Sequence, residues 1–293
     1  MDTPAGTPHV ILAALGVPGP ARATPVPGGA DTRIWRIEVP EWTAALRLFR
    51  PEQGEVARRE VTAMAAAGAA GLPVPRLYAD GVWDACPALL LQWMPGRTLR
   101  DELRSRPWRA WALGVQFGRM QATIHAVAAP PALRGLPTSW IDWAAPDDAL
   151  RACLQVDSRG TALLHFDYHP LNVLVTRGAV SAVLDWANAR AGDPRADLAR
   201  TASILQFAPL DARWPPLERV VRRGLIAGWR RGYCEVAGPV TGMAPFYAWA
   251  GFVMIHDLSP RLGRPDLPWL TTAFLDGVRR WGEEWRERSR CPR

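Results

Sequence analysis

Residues 165–186 read HFDYHPLNVLVTRGAVSAVLDW, and this stretch restricts the fold more than any other in the chain. Two short apolar runs, NVLV and AVSAVLDW, are joined by Thr176, Arg177 and Gly178, a pattern that predicts a small β-hairpin. Polar groups crowd its two ends: Asp167 and Asn172 precede it, and Asp185 closes it. Two chemistries fit. His165, Asp167 and His169 alternate along an extended segment, as metal ligands do. Asp167 followed five residues later by Asn172 instead fits a phosphoryl-transfer loop.

The chain on either side of the hairpin differs in character. Thr32–Val39 and Thr43–Arg50 are strand-like runs separated by Pro40, Glu41 and Trp42, which predicts an antiparallel pair. Upstream, Gly28 and Gly29 offer a turn able to cover a phosphate. A helix is expected from Pro51 to Gly68, with Val56, Glu60, Met64 and Ala67 on one face. Glu60 therefore lies on an apolar stripe and needs a partner, and Arg47 on the neighbouring strand is the candidate. A further apolar strand, Leu89 to Trp93, runs to a turn at Pro95 and Gly96. That turn divides the chain into an N-terminal part, 1–96, and a mainly helical part, 97–293. Helical periodicity marks Leu113, Phe117, Met120 and Ile124, then Leu217, Val221, Leu225 and Trp229, and finally Phe274, Val278, Trp281 and Trp285.

Composition narrows the function. At 293 residues and 48% hydrophobic content the chain can fill one large domain or two lobes. All 35 Lys+Arg residues are Arg, so no Schiff-base lysine exists, and a cation on a phosphate must be a planar guanidinium. The net charge is +7, but the arginines are interspersed with acids. No basic-aromatic motif accompanies them, so no nucleic-acid partner is expected. Cys86, Cys153, Cys234 and Cys291 lack short spacings and are expected to be thiols in a reducing compartment. The longest apolar run, TGMAPFYAWAGFVMIHDL, contains Pro245, His256 and Asp257 and suits a buried helix better than a membrane span. With no secretory signal evident, a soluble cytoplasmic protein is expected.

Phosphoryl transfer needs a group that positions the acceptor hydroxyl and oxygen ligands for magnesium on the nucleotide phosphates. Asp167, Asn172 and Asp185 supply them in the required order. The metallohydrolase reading of His165, Asp167 and His169 leaves Asn172 and Asp185 without a role, and Pro170 ends the extension at once.

With both motifs in view, HFDYHPLNVLV followed by VLDWANARAGDPRADLA resembles the aminoglycoside phosphotransferase and choline kinase family. Weaker agreement extends over GGADTRIWRI, AALRLFRP, LLLQWMPGRTL and ATIHA. The resemblance implies an α+β, two-lobed, protein-kinase-like fold, with ATP or GTP in the cleft and Mg²⁺ as cofactor. It implies that Asp167 is catalytic and that Asn172 and Asp185 hold metal. Arg47, held by Glu60, takes the place of the usual lysine, Gly28 and Gly29 cover phosphates, and the strand through Gln92 and Trp93 meets the base. Asp197 is expected to brace the catalytic loop, His165 to orient the backbone near Asp167, His169 to belong to loop structure, and His125 and His256 to be satisfied core or rim residues. An inert nucleotide-binding module is the alternative. No motif names the acceptor. From Arg97 onward 27 Arg face 19 acids, which favours a neutral or anionic hydroxyl compound over a polycationic antibiotic, unless Asp257, Glu283 and Glu284 gather at the pocket.

Overall fold

The computed structural model of the chain describes residues 7–17, 22–26, 32–136, 139–157, 160–210 and 215–289. Helix α1 (Thr7–Ala14) precedes strands β1 (Arg22–Pro25), β2 (Arg33–Glu38) and β3 (Thr43–Leu48). Helix α2 (Gly54–Ala69) follows a single 3₁₀ turn, and strands β4 (Leu77–Trp83) and β5 (Cys86–Gln92) complete a five-stranded antiparallel sheet in the order β1-β2-β3-β5-β4. The expected β2–β3 pair is present, in register from Arg33 opposite Leu48 to Glu38 opposite Thr43.

Alternation along β3 decides what the sheet can do. Ala44, Leu46 and Leu48 point to one face, where they bury Ile11 and Leu12 of α1 together with Trp35, Ile37 and Leu90. A period of two then sends Arg47 to the opposite face, toward α2. There α2 presents Ala57, Glu60, Ala63, Met64 and Ala67 as its buried stripe.

Beyond the sheet come β6 (Arg97–Thr98), α3 (Leu99–Ser105), α4 (Ala110–His125), α5 (Pro131–Arg134) and α6 (Asp148–Asp157). Strands β7 (Ala162–Leu164), β8 (Val173–Thr176), β9 (Ala179–Val183) and β10 (Arg190–Gly192) follow. The hairpin expected from the sequence is β8–β9, extended by β6 into three strands, while β7 pairs with β10. Helices α7 (Pro194–Phe207), α8 (Pro215–Ala237), α9 (Ala244–Leu258) and α10 (Thr272–Arg288) complete the chain. This is the α+β, two-lobed, kinase-like architecture. The long apolar run forms α9, which buries Phe246, Trp249 and Val253 in protein. Among the described residues no helix is long and apolar enough to cross a membrane.

Two expectations change. Val221, Leu225 and Trp229 are buried on α8, but Leu217 is 42% exposed. The partner helix α4 begins at Ala110, which meets Gly224, so Leu217 lies two turns beyond the cover α4 provides. Cys86 and Cys234 are free thiols, whereas Cys153 is disulfide-bonded, so the expectation of thiols fails for Cys153.

Helices α4 and α8 approach so closely that backbone touches backbone. A methyl group on Gly118 would sit 2.0 Å from the Trp229 carbonyl oxygen, and one on Gly232 2.0 Å from that of Val115. Gly118→Ala is therefore expected to force the helices apart and destabilise the protein by about 1–3 kcal/mol, read as a lowered melting temperature. An unchanged melting temperature would show that the interface can give way at no cost.

Candidate functional site

The loop between β7 and β8 is built around a buried carboxylate. Asp197 lies in the first turn of α7, fully buried. It accepts hydrogen bonds from the backbone N–H of Phe166 (2.7 Å) and of His165 (3.1 Å), and contacts His125 Nε2 at 2.9 Å. His125 Nδ1 in turn meets the Tyr233 hydroxyl at 2.8 Å. Burial opposes the charge of Asp197, but the bond from His125 and the surrounding donors outweigh it and hold its pKa below the ordinary value. Phe166 has φ of 62°, a left-handed conformation that costs a non-glycine residue about 1–3 kcal/mol. Two charge-assisted backbone bonds, one from Phe166 itself and one from His165 before it, are of the size needed to hold it.

Asp167 is thereby pinned between two buried aromatic residues, Phe166 and Tyr168. The Tyr168 ring stacks on Phe117 at 4.2 Å, its hydroxyl donates to the Phe117 carbonyl, and its own carbonyl accepts from Thr201. Asn172 Nδ2 donates to both the main-chain oxygen (2.9 Å) and Oδ2 (3.1 Å) of Asp167. Two acceptors fix the orientation of the amide, so its oxygen faces away from Asp167. His169 Nδ1 accepts from the Leu171 N–H, which puts the ring proton on Nε2, 3.4 Å from Asp167 Oδ1. Burial would raise the Asp167 pKa, but His169, His165 and Arg200 more than reverse that and hold it well below the usual carboxylate range.

His165 links this loop to the exit of the hairpin. Its Nδ1 accepts from the Asp167 N–H, and its Nε2 donates to the carbonyl of Leu184, the residue before Asp185. Burial depresses the pKa of its imidazole, against the pull of Asp197. Both ring nitrogens are committed to the backbone, so His165 cannot serve as a metal ligand, and the His165–Asp167–His169 set fails. Among the described residues no three His, Cys, Asp or Glu side chains are grouped to hold a metal.

Arg47 meets the loop from the sheet side. Its Nη1 donates to Glu60 Oε1 (2.6 Å), its Nη2 to Asp185 Oδ1 (3.0 Å) and its Nε to Thr32 Oγ1 (3.2 Å). Asp185, with φ of 60°, keeps its side chain 35% exposed. Glu60 is 1% exposed. Burial, with a further push from Asp185, outweighs Arg47 and lifts the Glu60 carboxyl to about 7.

Arg47, Asp167, His169 and Asp185 line one cavity of about 440 Å³, which continues past Trp143, Arg200 and Asp257 to the aromatic rings of Trp269 and Phe274. Residues 22–238 of the chain match the phosphotransferase enzyme family. The chain belongs to that family. It is a small-molecule phosphotransferase, and its fold agrees with solved relatives. A candidate aminoglycoside phosphotransferase of Ralstonia eutropha JMP134 superposes with a TM-score of 0.67 at 19% identity, covering 97% of this chain and 98% of that one. The aminoglycoside phosphotransferase APH(4)-Ia gives 0.67 at 16% identity over 99% and 100%. A candidate fructosamine-3-kinase of Haemophilus somnus 129PT gives 0.63 at 14% identity over 94% and 96%. No curated protein matches the sequence.

The structure of this phosphotransferase thus brings together Arg47, Glu60, Asp167, Asn172 and Asp185. Gln92 and Trp93 stand apart. Neither lines this cavity, and their backbone N–H groups donate to the carbonyls of Arg76 and Thr43. Gly28 and Gly29 lie outside the described residues. Sequence reasoning missed Thr32, whose hydroxyl orients Arg47, and Arg200 and Trp143, which reach the cavity from separate elements. Arg200 carried a usable signal: it follows Asp197 by one helical turn.

The raised pKa of Glu60 has a definite sign in stability. In the unfolded chain the carboxyl titrates near 4.5, and in the fold near 7. The protonated form is therefore the better accommodated one, and its contribution is full below pH 4.5 and lost as pH rises through 7. Relative to Glu60→Gln, the unmodified protein should lose melting temperature between pH 5 and pH 7 and show a constant difference above pH 8. A difference that changes in the opposite sense would mean that Arg47, not burial, controls the site.

Proposed function

We propose that this phosphotransferase moves the γ-phosphate of ATP to a hydroxyl of a small molecule, with Asp167 as the catalytic positioning residue. One observation carries the reading: a single cavity holds a cation fixed by two carboxylates at one end and an unusually acidic carboxylate, Asp167, facing an aromatic pocket beyond it. Nucleotide as donor is supported by the relative APH(4)-Ia, solved as a ternary complex with AMP-PNP and hygromycin B.

Asp167 accepts the hydrogen bond of the acceptor hydroxyl and aims its oxygen along the line of transfer. A carboxylate held so far below its ordinary pKa is a weak base but a well-placed acceptor, which suits a loose transition state that needs positioning more than deprotonation. Arg47 holds phosphate oxygens, and Glu60, Thr32 and Asp185 keep its fork from turning. The donor set fits a hard cation: Asp185 offers a carboxylate, and Asn172 its amide oxygen, because Nδ2 is committed to Asp167. Magnesium bound there with the nucleotide supplies neutralisation of phosphate charge.

The two lobes on this reading are 1–96 and 97–293, with the hinge at Pro95 and Gly96. Gly96 has φ of 130°, and a side chain there would meet Ser181 Oγ at 2.8 Å. The chain can therefore turn between β5 and β6 only through glycine.

Asp167→Asn is expected to keep nucleotide affinity while turnover falls by ~10² or more, measured as ATP consumption against a panel of hydroxyl compounds with product masses checked for an added phosphate. Full activity in that variant would remove Asp167 from its role. Nucleotide binding by the unmodified protein, with no phosphorylated product from any acceptor, would favour the inert-module alternative.

A further inference from the structure

At the acceptor end of the cavity the charges are already paired in a revealing way. Among the described residues Asp257 on α9 is the one acidic side chain lining that end besides Asp167, and both its oxygens are engaged. Oδ1 accepts from Trp143 Nε1 and Oδ2 from Arg200 Nη2, each at 2.9 Å. Glu283 and Glu284, on α10, are exposed and do not line the cavity. A polycation entering here finds Asp257 already engaged at both oxygens, and Asp167 already held by Asn172 and His169.

Arg200 is the opposite case. Its side chain is only 7% exposed. Nη2 has its bond to Asp257, and the guanidinium lies over the Trp143 ring at 5.4 Å. Nε and Nη1 are buried without a hydrogen-bond partner. A buried cation compensated by one partly exposed carboxylate projects an unscreened positive field into the space it lines. Arg261 adds a second guanidinium to the same wall. The charge of Arg200 is felt at Asp167, where it helps hold the carboxyl ionised. Whatever the field of Arg200 attracts therefore lies beside the hydroxyl that Asp167 positions. Across from it, Trp269 and Phe274 meet edge to face at 5.2 Å and give the pocket an apolar wall.

We infer that the acceptor is an amphiphilic hydroxy anion, with a carboxylate or phosphate held at Arg200, an apolar body against Trp143, Trp269 and Phe274, and its hydroxyl at Asp167. This rests on the kinase reading for the role of the hydroxyl. The anion site itself rests on Arg200.

Calorimetry in the presence of magnesium and AMP-PNP tests it with four probes: 3-phenyllactate, its neutral amide, phenyl phosphate and kanamycin. Phenyllactate or phenyl phosphate should bind ~10-fold or more tighter than the amide, and the tighter of the two identifies the anion. Arg200→Met should bring acid and amide within about twofold of each other while leaving the amide's affinity in place. Should that variant fail to fold, Asp257→Asn serves instead, because removing the competing carboxylate should widen the preference for the acid. Equal binding of acid and amide, tighter binding of kanamycin, no binding of any probe, or a preference untouched by either variant would each overturn the inference. The two readings fail separately. Phosphorylation of neutral or cationic acceptors alone, lost in Asp167→Asn, would sink the anion site and keep the kinase. Arg200-dependent anion binding with no product from any hydroxyl compound would keep the site and sink the kinase.

Discussion

The site depends first on one carboxylate that touches no substrate. Asp197 is buried completely, and a charge in that position is tolerated only if its surroundings are donors. They are: the backbone N–H groups of His165 and Phe166, and the His125 ring, which is itself held by Tyr233. Two backbone donors on successive residues fix the loop just before Asp167. With those two N–H groups held, the positive φ of Phe166 sets the direction in which the chain leaves toward Asp167. One anchored carboxylate thus converts a flexible connection between β7 and β8 into a rigid mount. His165 passes the constraint on to Leu184, and the Leu184 N–H donates to the Asn172 carbonyl, so the two loops that carry Asp167 and Asp185 are hydrogen-bonded to each other.

Arg47 performs the complementary task from the sheet. Its three nitrogens go to three separate segments: Thr32 just before β2, Glu60 on α2 and Asp185 at the hairpin exit. A lysine ammonium on a flexible stem could satisfy one or two of these but could not hold a planar fork across all three. In a chain without lysine, this arrangement makes the strand, the helix and the loop interdependent. Glu60 bears the cost, being buried deeply enough that its carboxyl titrates near neutrality.

These two anchors differ in how well a sequence reveals them. Glu60 and Arg47 were legible because a carboxylate on an apolar helical stripe must have a partner, and the neighbouring strand offered one. The β2–β3 and β8–β9 pairs were legible from apolar runs separated by turn residues. The bonds from Asp197 to backbone N–H groups have no side-chain signature, so the residue could be named as a brace but its partners could not. The positive φ of Phe166 is likewise silent, because phenylalanine has no preference for that conformation. The glycine contacts between α4 and α8 did leave a pattern, Gly114 with Gly118 and Gly228 with Gly232. Helical propensity counts such residues against a helix, and only backbone contact shows why they are there. The exposed Leu217 fits its helix's period but not its length of cover.

The acceptor pocket shows why charge counting reaches only part of the way. The excess of arginine over acid beyond residue 97 pointed away from a polycationic acceptor, but a total says nothing about which charges face a cavity or which are already spent. Most of the excess is dispersed over solvated helix faces, where screening makes each charge worth little. What matters is a difference within one small group: Asp257 satisfied twice and Arg200 satisfied once, on helices that meet only in the fold. Neither residue belongs to a motif. Each gains its meaning from the crossing of α7 and α9, which places the partly satisfied cation where its charge reaches Asp167. On the proposed reading, selectivity for the acceptor comes from the incomplete pairing of a single buried guanidinium, while the mount for Asp167 comes from the complete pairing of Asp197.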